Sequence, residues 1–275
     1  MSTASPLAVP EPWDLVVPEY MRELMPVFET FARDALVRAG VGPGTRVVDV
    51  AAGPGTLALL AARAGARVTA VDFSPRMIAA LREGAAAARL DVEALVGDGM
   101  ALALPERAFD AAFSMFGLMF FPDRARGFRE LLRVLVPGGC AVVSSWTPLE
   151  RSPVMNVVYR SFSELLPGGG APRDGMMPLS DPGTCQREMA GAGFVDVAVH
   201  ELSVRAEYAS AAALVDAMVR SSAPIVLARK AFGEAWAGME RALLEKVVAE
   251  LGTGPQSAAF NAYLTVGRRK QARAE

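Results

Sequence analysis

The chain has 275 residues, 52% apolar and 21% charged, with 28 Lys and Arg set against 30 Asp and Glu. This composition excludes a mostly disordered chain, and the near-neutral balance argues against a protein held to nucleic acid by bulk charge. A single histidine (His200) and two cysteines (Cys140 and Cys185) cannot assemble a zinc site of the usual Cys/His kind, and no disulfide framework is expected. No apolar run reaches the roughly 20 residues of a membrane span, and the start has no basic region followed by an apolar core, so the expected location is the cytoplasm.

The first dozen residues carry three prolines and no apolar period, which predicts a loose arm. Over residues 18–40, Tyr20, Leu24, Val27, Phe28, Phe31, Ala35 and Leu36 recur at three- and four-residue steps. An amphipathic helix is predicted there, kinked or split at Pro26 and ended by Gly40. Strand and helix then alternate. Strands are predicted over 46–51, 67–72, 92–97, 109–115 and 140–146. Helices are predicted over 56–63, from Ser74 and Pro75 onward, and over 123–135, the last terminated by Pro137, Gly138 and Gly139. Buried strands separated by helices mean a parallel sheet covered on both faces, with the ligand crevice at the strand C-terminal ends.

Residues 150–182 are rich in Pro and Gly. A helix is predicted over 184–192, a strand over 195–204, a broken helical stretch over 209–251 and a last strand over 257–267. This predicts an antiparallel hairpin closing the sheet edge, with a helical insertion folded over it. Connections usually run a few residues, so an insertion of this length reads as a lid. The acceptor pocket is expected from the N-terminal helix and the two insertions, at 150–182 and within the hairpin, whose large apolar residues, among them Trp13, Tyr20, Phe28, Met155, Tyr159, Met176, Met177, Met218 and Trp236, favour a hydrophobic or aromatic small molecule.

The most informative segment joins the first strand to its helix: Asp49, Ala51, Gly53, Pro54, Gly55. Glycines let backbone approach a ligand closely. Taken alone, the loop fits a weak dinucleotide fingerprint and keeps an NAD(P)-dependent oxidoreductase open as an alternative. Asp49 at its mouth would repel a diphosphate and attract an ammonium group. Asp72 ends the second strand, where a carboxylate accepts from ribose hydroxyls. Asp98 follows the third strand, where it can accept from an adenine amino group. Three acids at successive strand ends, with no Lys or Arg in the loop, fit a nucleoside carrying an amine and a positive centre.

From Arg46 to Trp146 the sequence resembles class I S-adenosylmethionine-dependent methyltransferases of the ubiquinone/menaquinone-biosynthesis-like branch. The resemblance rests on Asp49-Val-Ala-Ala-Gly-Pro-Gly55, Asp72, Gly97-Asp98, Leu104-Pro105, Phe109-Asp110, Pro122-Asp123 and Glu130-Leu-Leu-Arg-Val-Leu-Val-Pro-Gly-Gly139. Ala51 stands where the family often has glycine. The resemblance implies an α/β, Rossmann-like, doubly wound seven-stranded sheet with the last strand antiparallel and helical lid insertions. The implied organisation is an arm and helix covering the site (1–40), a cofactor-binding core (41–149), a first lid insertion (150–182) and a C-terminal part of the core (183–275) carrying a second insertion at about 208–252. The implied cofactor is S-adenosylmethionine (SAM), leaving S-adenosylhomocysteine (SAH), and the implied partner is a small methyl acceptor.

The same resemblance assigns Asp49, Ala51, Gly53 and Gly55 to the methionine part and Asp72 to the ribose. It places Phe73 and Met77 beside the adenine, and Asp98, Gly99 and Met100 at its edge. Ser114 and Met115 would lie below the sulfonium. No catalytic side chain is assigned. His200, on a half-wet strand, reads as structural or exposed, both cysteines as inert, Asp123 as a helix-terminal charge, and the basic segment Arg268 to Arg273 as a solvated tail. A noncatalytic SAM-binding protein of the same fold is the other alternative. A nucleic-acid methyltransferase is disfavoured, because Ser114-Met-Phe-Gly117 lacks a proline pair.

Overall fold

The computed structural model describes residues 5–169 and 179–272, so Met176 and Met177 lie outside the described residues. Two helices open the chain, α1 (Glu11–Glu23) and α2 (Met25–Arg38). The alternating core follows: β1 (Arg46–Val50), α3 (Thr56–Arg63), β2 (Arg67–Asp72), α4 (Pro75–Ala87), β3 (Val92–Val96), β4 (Phe109–Met115), α5 (Arg124–Val134) and β5 (Leu135–Trp146). After it come α6 (Pro153–Leu165), α7 (Pro182–Gly191), β6 (Phe194–Tyr208), α8 (Ala211–Ser221), α9 (Ala223–Phe232), α10 (Trp236–Leu251) and β7 (Gln256–Arg269).

The seven strands form one sheet in the order β3-β2-β1-β4-β5-β7-β6. β1 to β5 pair in parallel, and β7 runs antiparallel to both β5 and β6. The order in which strands are added to the sheet reverses between β1 and β4, and a doubly wound sheet opens its crevice at that switch point. The central strands are apolar along their whole length because helices cover both faces; Val47, Val48, Ala111, Ala112 and Phe113 are fully buried. No single helix among the described residues is long and apolar enough to cross a membrane.

Several local expectations are corrected. Residues 5–12, the described part of the first dozen, are not a loose arm. Pro10 and Pro12 sit at the start of α1, where a missing N–H costs nothing, and Trp13 Nε1 donates to the Leu7 carbonyl at 2.9 Å to fold the preceding turn back. Pro26 does split the helical stretch, by occupying the first turn of α2. Helix α5 ends at Val134, before the Pro-Gly-Gly turn, and β5 starts at Leu135. What holds that junction is Arg269, whose Nη1 donates to the carbonyls of Leu132, Arg133 and Leu135 at 2.8–2.9 Å. The basic segment is therefore partly structural, since β7 continues through Arg269. Helix α6, with Pro153 at its first position, occupies part of the stretch that looked only Pro/Gly-rich.

Glu130 and Arg133, from the longest matching motif, act as a staple. Glu130 accepts from the Leu102 amide at 2.8 Å, and Arg133 donates to the carbonyls of Leu102 and Leu104 at 2.9 Å. The two also pair with each other, which lowers the Glu130 pKa. The loop after Asp98 is thus pinned to α5. Arg133→Ala is expected to cost about 1–3 kcal/mol by urea unfolding, because charged hydrogen bonds to otherwise unpartnered carbonyls are lost. An unchanged midpoint would contradict the staple.

Candidate cofactor site

The C-terminal ends of β1 to β4 open into a hollow of ≈ 720 Å³ of non-atom space, part of it continuous with solvent. A smaller hollow of ≈ 330 Å³ adjoins it over the start of α3. Tyr20, Ala51, Gly53 and Met115 line both.

Asp72 ends β2 and is 5% exposed. Its Oδ2 accepts from the Gly53 amide and its Oδ1 from the Ser74 amide, each at 2.8 Å. Each oxygen keeps a further lone pair for a ligand hydroxyl. Burial raises its pKa to about 6, while the Ser74 and Gly53 amides pull it down. Asp49, in β1, is 1% exposed and lines the smaller hollow. Its Oδ1 is buried with no hydrogen-bond partner. Burial first, and the nearby Asp72 charge second, push its pKa up to about 8, with the Ala58 amide at the start of α3 acting the other way. A buried acid with an unused oxygen is costly unless something cationic or donating meets it. Asp98 is exposed at the cavity edge and accepts from the Met100 amide at 2.8 Å, which turns the chain around it.

The glycines divide by role. A Cβ on Gly53 would meet nothing within 4 Å and would project into open space of the hollow. A Cβ on Gly55 (φ +92) would strike Leu81 Cγ at 2.7 Å, so Gly55 serves helix packing and does not line either hollow. A Cβ on Gly99 would meet Phe121 at 2.5 Å, which fixes how closely that loop lies on the sheet. A Cβ on Gly117 would meet the Ala51 Cβ at 2.3 Å, so the loop after β4 closes onto the β1 loop only with small residues at both positions. Ala51 itself has φ 58, the left-handed region that favours the glycine common in the family.

Phe73, Met77, Asp98, Gly99, Met100 and Met115 all line the larger hollow, together with Ala51, Gly53 and Asp72. Ser114 does not. Its hydroxyl is fully buried and accepts from the Leu118 amide at 3.0 Å, so it shapes the turn behind the cavity. Sequence reasoning missed Leu7, Ala8 and the Phe116, Phe120, Phe121 and Pro122 wall. The wall had a usable signal, since an aromatic run directly after the fourth strand must fall at the crevice. Leu7 and Ala8 fall in the arm expected over the site, but no residue pattern singled them out. The insertions expected to form the lid do not line the cavity among the described residues. Of the expected cover, α1 lines it through Trp13 and Tyr20, and α8 and α9 pack behind α1. Met155, Met218 and Trp236 are buried in the apolar core.

The covering helix is fastened at several points. Ser74 Oγ donates to Asp14 while accepting from the Met77 amide. Arg220 of α8 pairs with Glu19 and Glu23 at 3.3 Å. Trp13 packs on Phe120 with centroids 5.2 Å apart. Deeper in, Phe116 stacks on Trp146 at 4.1 Å and on Phe28 at 4.8 Å.

Other residues that stand out in the sequence have structural partners or lie away from both hollows. Asp123 caps α5 by accepting from the Arg126 amide. Asp110 pairs with Arg46 at the opposite sheet edge. Cys140 and Cys185 are buried, and burial pushes both thiols up. His200 lies on the outer strand β6 and lines neither hollow. Burial lowers its pKa, as does the Arg38 charge. His200→Ala is expected to leave SAM affinity within about twofold, as for a surface change; a large loss in calorimetric titration would contradict that placement.

Comparison with known proteins agrees with this geometry. Residues 47–139 match a family described as a methyltransferase domain. A demethylmenaquinone methyltransferase of Thermus thermophilus is 40% identical over 163 residues, spanning 54% of this chain and 74% of that protein. The chain belongs to the class I SAM-dependent methyltransferase family, in its menaquinone-biosynthesis-like branch. An uncharacterized protein of Mycobacterium tuberculosis is 38% identical to this methyltransferase-family chain over 133 residues, 48% of the chain and 46% of that protein. The chain thus spans about half the length of such curated relatives. By structure, YcgJ of Bacillus subtilis superimposes with a TM-score of 0.61 at 17% identity, covering 88% of this chain and 98% of that one. The [4+2]-cyclase SpnF gives 0.65 at 19% identity, covering 99% and 100%. At these identities the likeness is one of fold.

The family's cofactor is SAM, and the residues present fit it. The unpartnered Asp49 oxygen suits an ammonium group, and the open space over Gly53 suits close backbone approach. No Lys, Arg or His among the described lining residues would neutralise a diphosphate.

Proposed function

We propose that the protein transfers the methyl group of SAM to a small hydrophobic or aromatic acceptor by in-line displacement. The supporting observation is the set of three carboxylates, Asp49, Asp72 and Asp98, around joined hollows whose described lining contains no basic side chain. SAM supplies a methyl group on a good leaving group. The chain's own residues bind, orient and exclude water. Asp49 and the backbone at Gly53 hold the amino-acid end. Asp72 holds the ribose hydroxyls, Phe73 and Met77 flank the base, and Asp98 with the Gly99–Met100 backbone reads its edge. Met115 lies beneath the sulfur, with Ser114 shaping the turn behind it.

On the acceptor side the lining is Trp13, Phe116, Phe120 and Phe121. With no histidine in the lining, alignment of the nucleophile carries more of the rate than proton removal. An apolar aromatic wall with no cation among its described residues favours a neutral planar ring over a phosphate or a carboxylate. The name of the Thermus relative makes a quinol-type ring the first acceptor to try.

The test is SAH formation from SAM with a panel of reduced quinones and phenols. Acceptor-dependent SAH supports the proposal. Tight SAM binding with no SAH from any acceptor would overturn it in favour of a different use of the same fold, as the cyclase neighbour illustrates.

A further inference from the structure

We infer that Tyr20 is the residue through which α1 meets the sulfonium charge of bound SAM, its ring facing the sulfur and distinguishing SAM from the product, whose sulfur is uncharged. This rests on the reading that the site binds SAM. The larger hollow carries the nucleoside partners Asp72, Phe73 and Met77, and the smaller one carries Asp49. The nucleoside and amino-acid ends of SAM join at the sulfur. The residues shared by both hollows therefore mark where the sulfur lies.

Of those shared residues, Ala51, Gly53 and Met115 come from the sheet edge, and only Tyr20 comes from the covering helix. Tyr20 thus approaches the junction from the opposite side, and it alone among the four has a ring. Phe28 supports that ring edge-on, with centroids 5.6 Å apart and planes at 74°. Asp14 and Arg220 fix the helix on either side of it. The hydroxyl makes no hydrogen bond among the described residues.

The neighbouring acids leave the phenol a poor base. Burial raises its pKa, and the charges of Asp72 and Asp49 raise it further, so it stays protonated. What remains is a neutral ring whose face attracts a cation. When the acceptor's electron pair takes the methyl group, the S–CH3 bonding pair stays on sulfur and the sulfur charge disappears. The attraction of the ring is lost with it, and SAH is released more readily than SAM.

The test is calorimetric titration of the wild type, Tyr20→Leu and Tyr20→Phe with SAM and with SAH. Tyr20→Leu should weaken SAM about tenfold more than SAH, the scale of a partly desolvated cation–ring contact. Tyr20→Phe keeps the ring and should keep the wild-type ratio. Parallel losses for both ligands in Tyr20→Leu, no loss at all, or a phenylalanine variant that behaves like leucine would overturn the inference while leaving SAM binding intact. A wild type that binds neither ligand would overturn the underlying reading and the inference together. If Tyr20→Leu does not fold, the crystal structure of the wild type with SAM decides. A ring centroid within about 6 Å of the sulfur supports the contact, and a greater separation overturns it.

Discussion

Asp72→Ala is expected to weaken SAM binding by about 1–3 kcal/mol, roughly tenfold to a hundredfold, measured by calorimetry at constant pH. Two losses add. The ribose hydroxyls lose a buried acceptor, and the Gly53 and Ser74 amides lose the oxygens that orient the glycine loop and the start of α4. Ser74 also holds Asp14 of the covering helix, so the same change loosens the cover. Asp72→Asn keeps one acceptor oxygen and should fall between wild type and alanine. Unchanged SAM affinity in Asp72→Ala would remove this residue from the site.

Asp49→Asn should act with opposite signs on binding and on stability. Its folded pKa is raised to about 8 and that of Asp72 to about 6, both above the ordinary carboxylate range. A raised acid contributes stability below its unfolded pKa of about 4 and loses it as pH rises through the folded value. The ligand-free protein should therefore weaken between about pH 4 and pH 8, and Asp49→Asn should recover part of that loss at alkaline pH. SAM restores the balance by bringing a cation to the ionised carboxylate, so binding releases the Asp49 proton. Wild-type affinity should rise from pH 6 towards pH 8, then fall as the ligand's own amine, with a pKa near 8, loses its charge. Asp49→Asn should flatten the rising limb and weaken SAM by about tenfold or more, the loss of a charge-assisted hydrogen bond. Thermal melting with and without SAM across this range checks both signs. A variant equally weak at every pH, with no gain in ligand-free stability, would contradict the assignment.

The core was legible because its signals are local. Short β-branched runs stop at glycines or acids, and Ser74-Pro75 marks a helix start that the structure reproduces through the Met77 amide. The covering helix was not legible in full, because Pro10 and Pro12 read as breakers when their positions make them starters. The lid was assigned to the insertions because their apolar residues are large and numerous. In the fold the described ones, Met155, Met218 and Trp236 among them, are buried in the apolar core, and among the described residues the cover comes from α1 and the turn before it, with Phe28 and Ala32 of α2 beneath. Gly55 and Gly53 look alike in sequence and differ in use, since what distinguishes them is the distant Leu81. The same holds for Ser114, whose partner lies four residues on, inside the turn it builds.

If the acids on this sheet edge grip a sulfonium nucleoside, crystals of the protein soaked with SAM should show ribose hydroxyls on Asp72, the ammonium group against Asp49 and the adenine between Phe73 and Met77. An empty edge, or crystals that take up NAD there in preference to SAM, would contradict that grip.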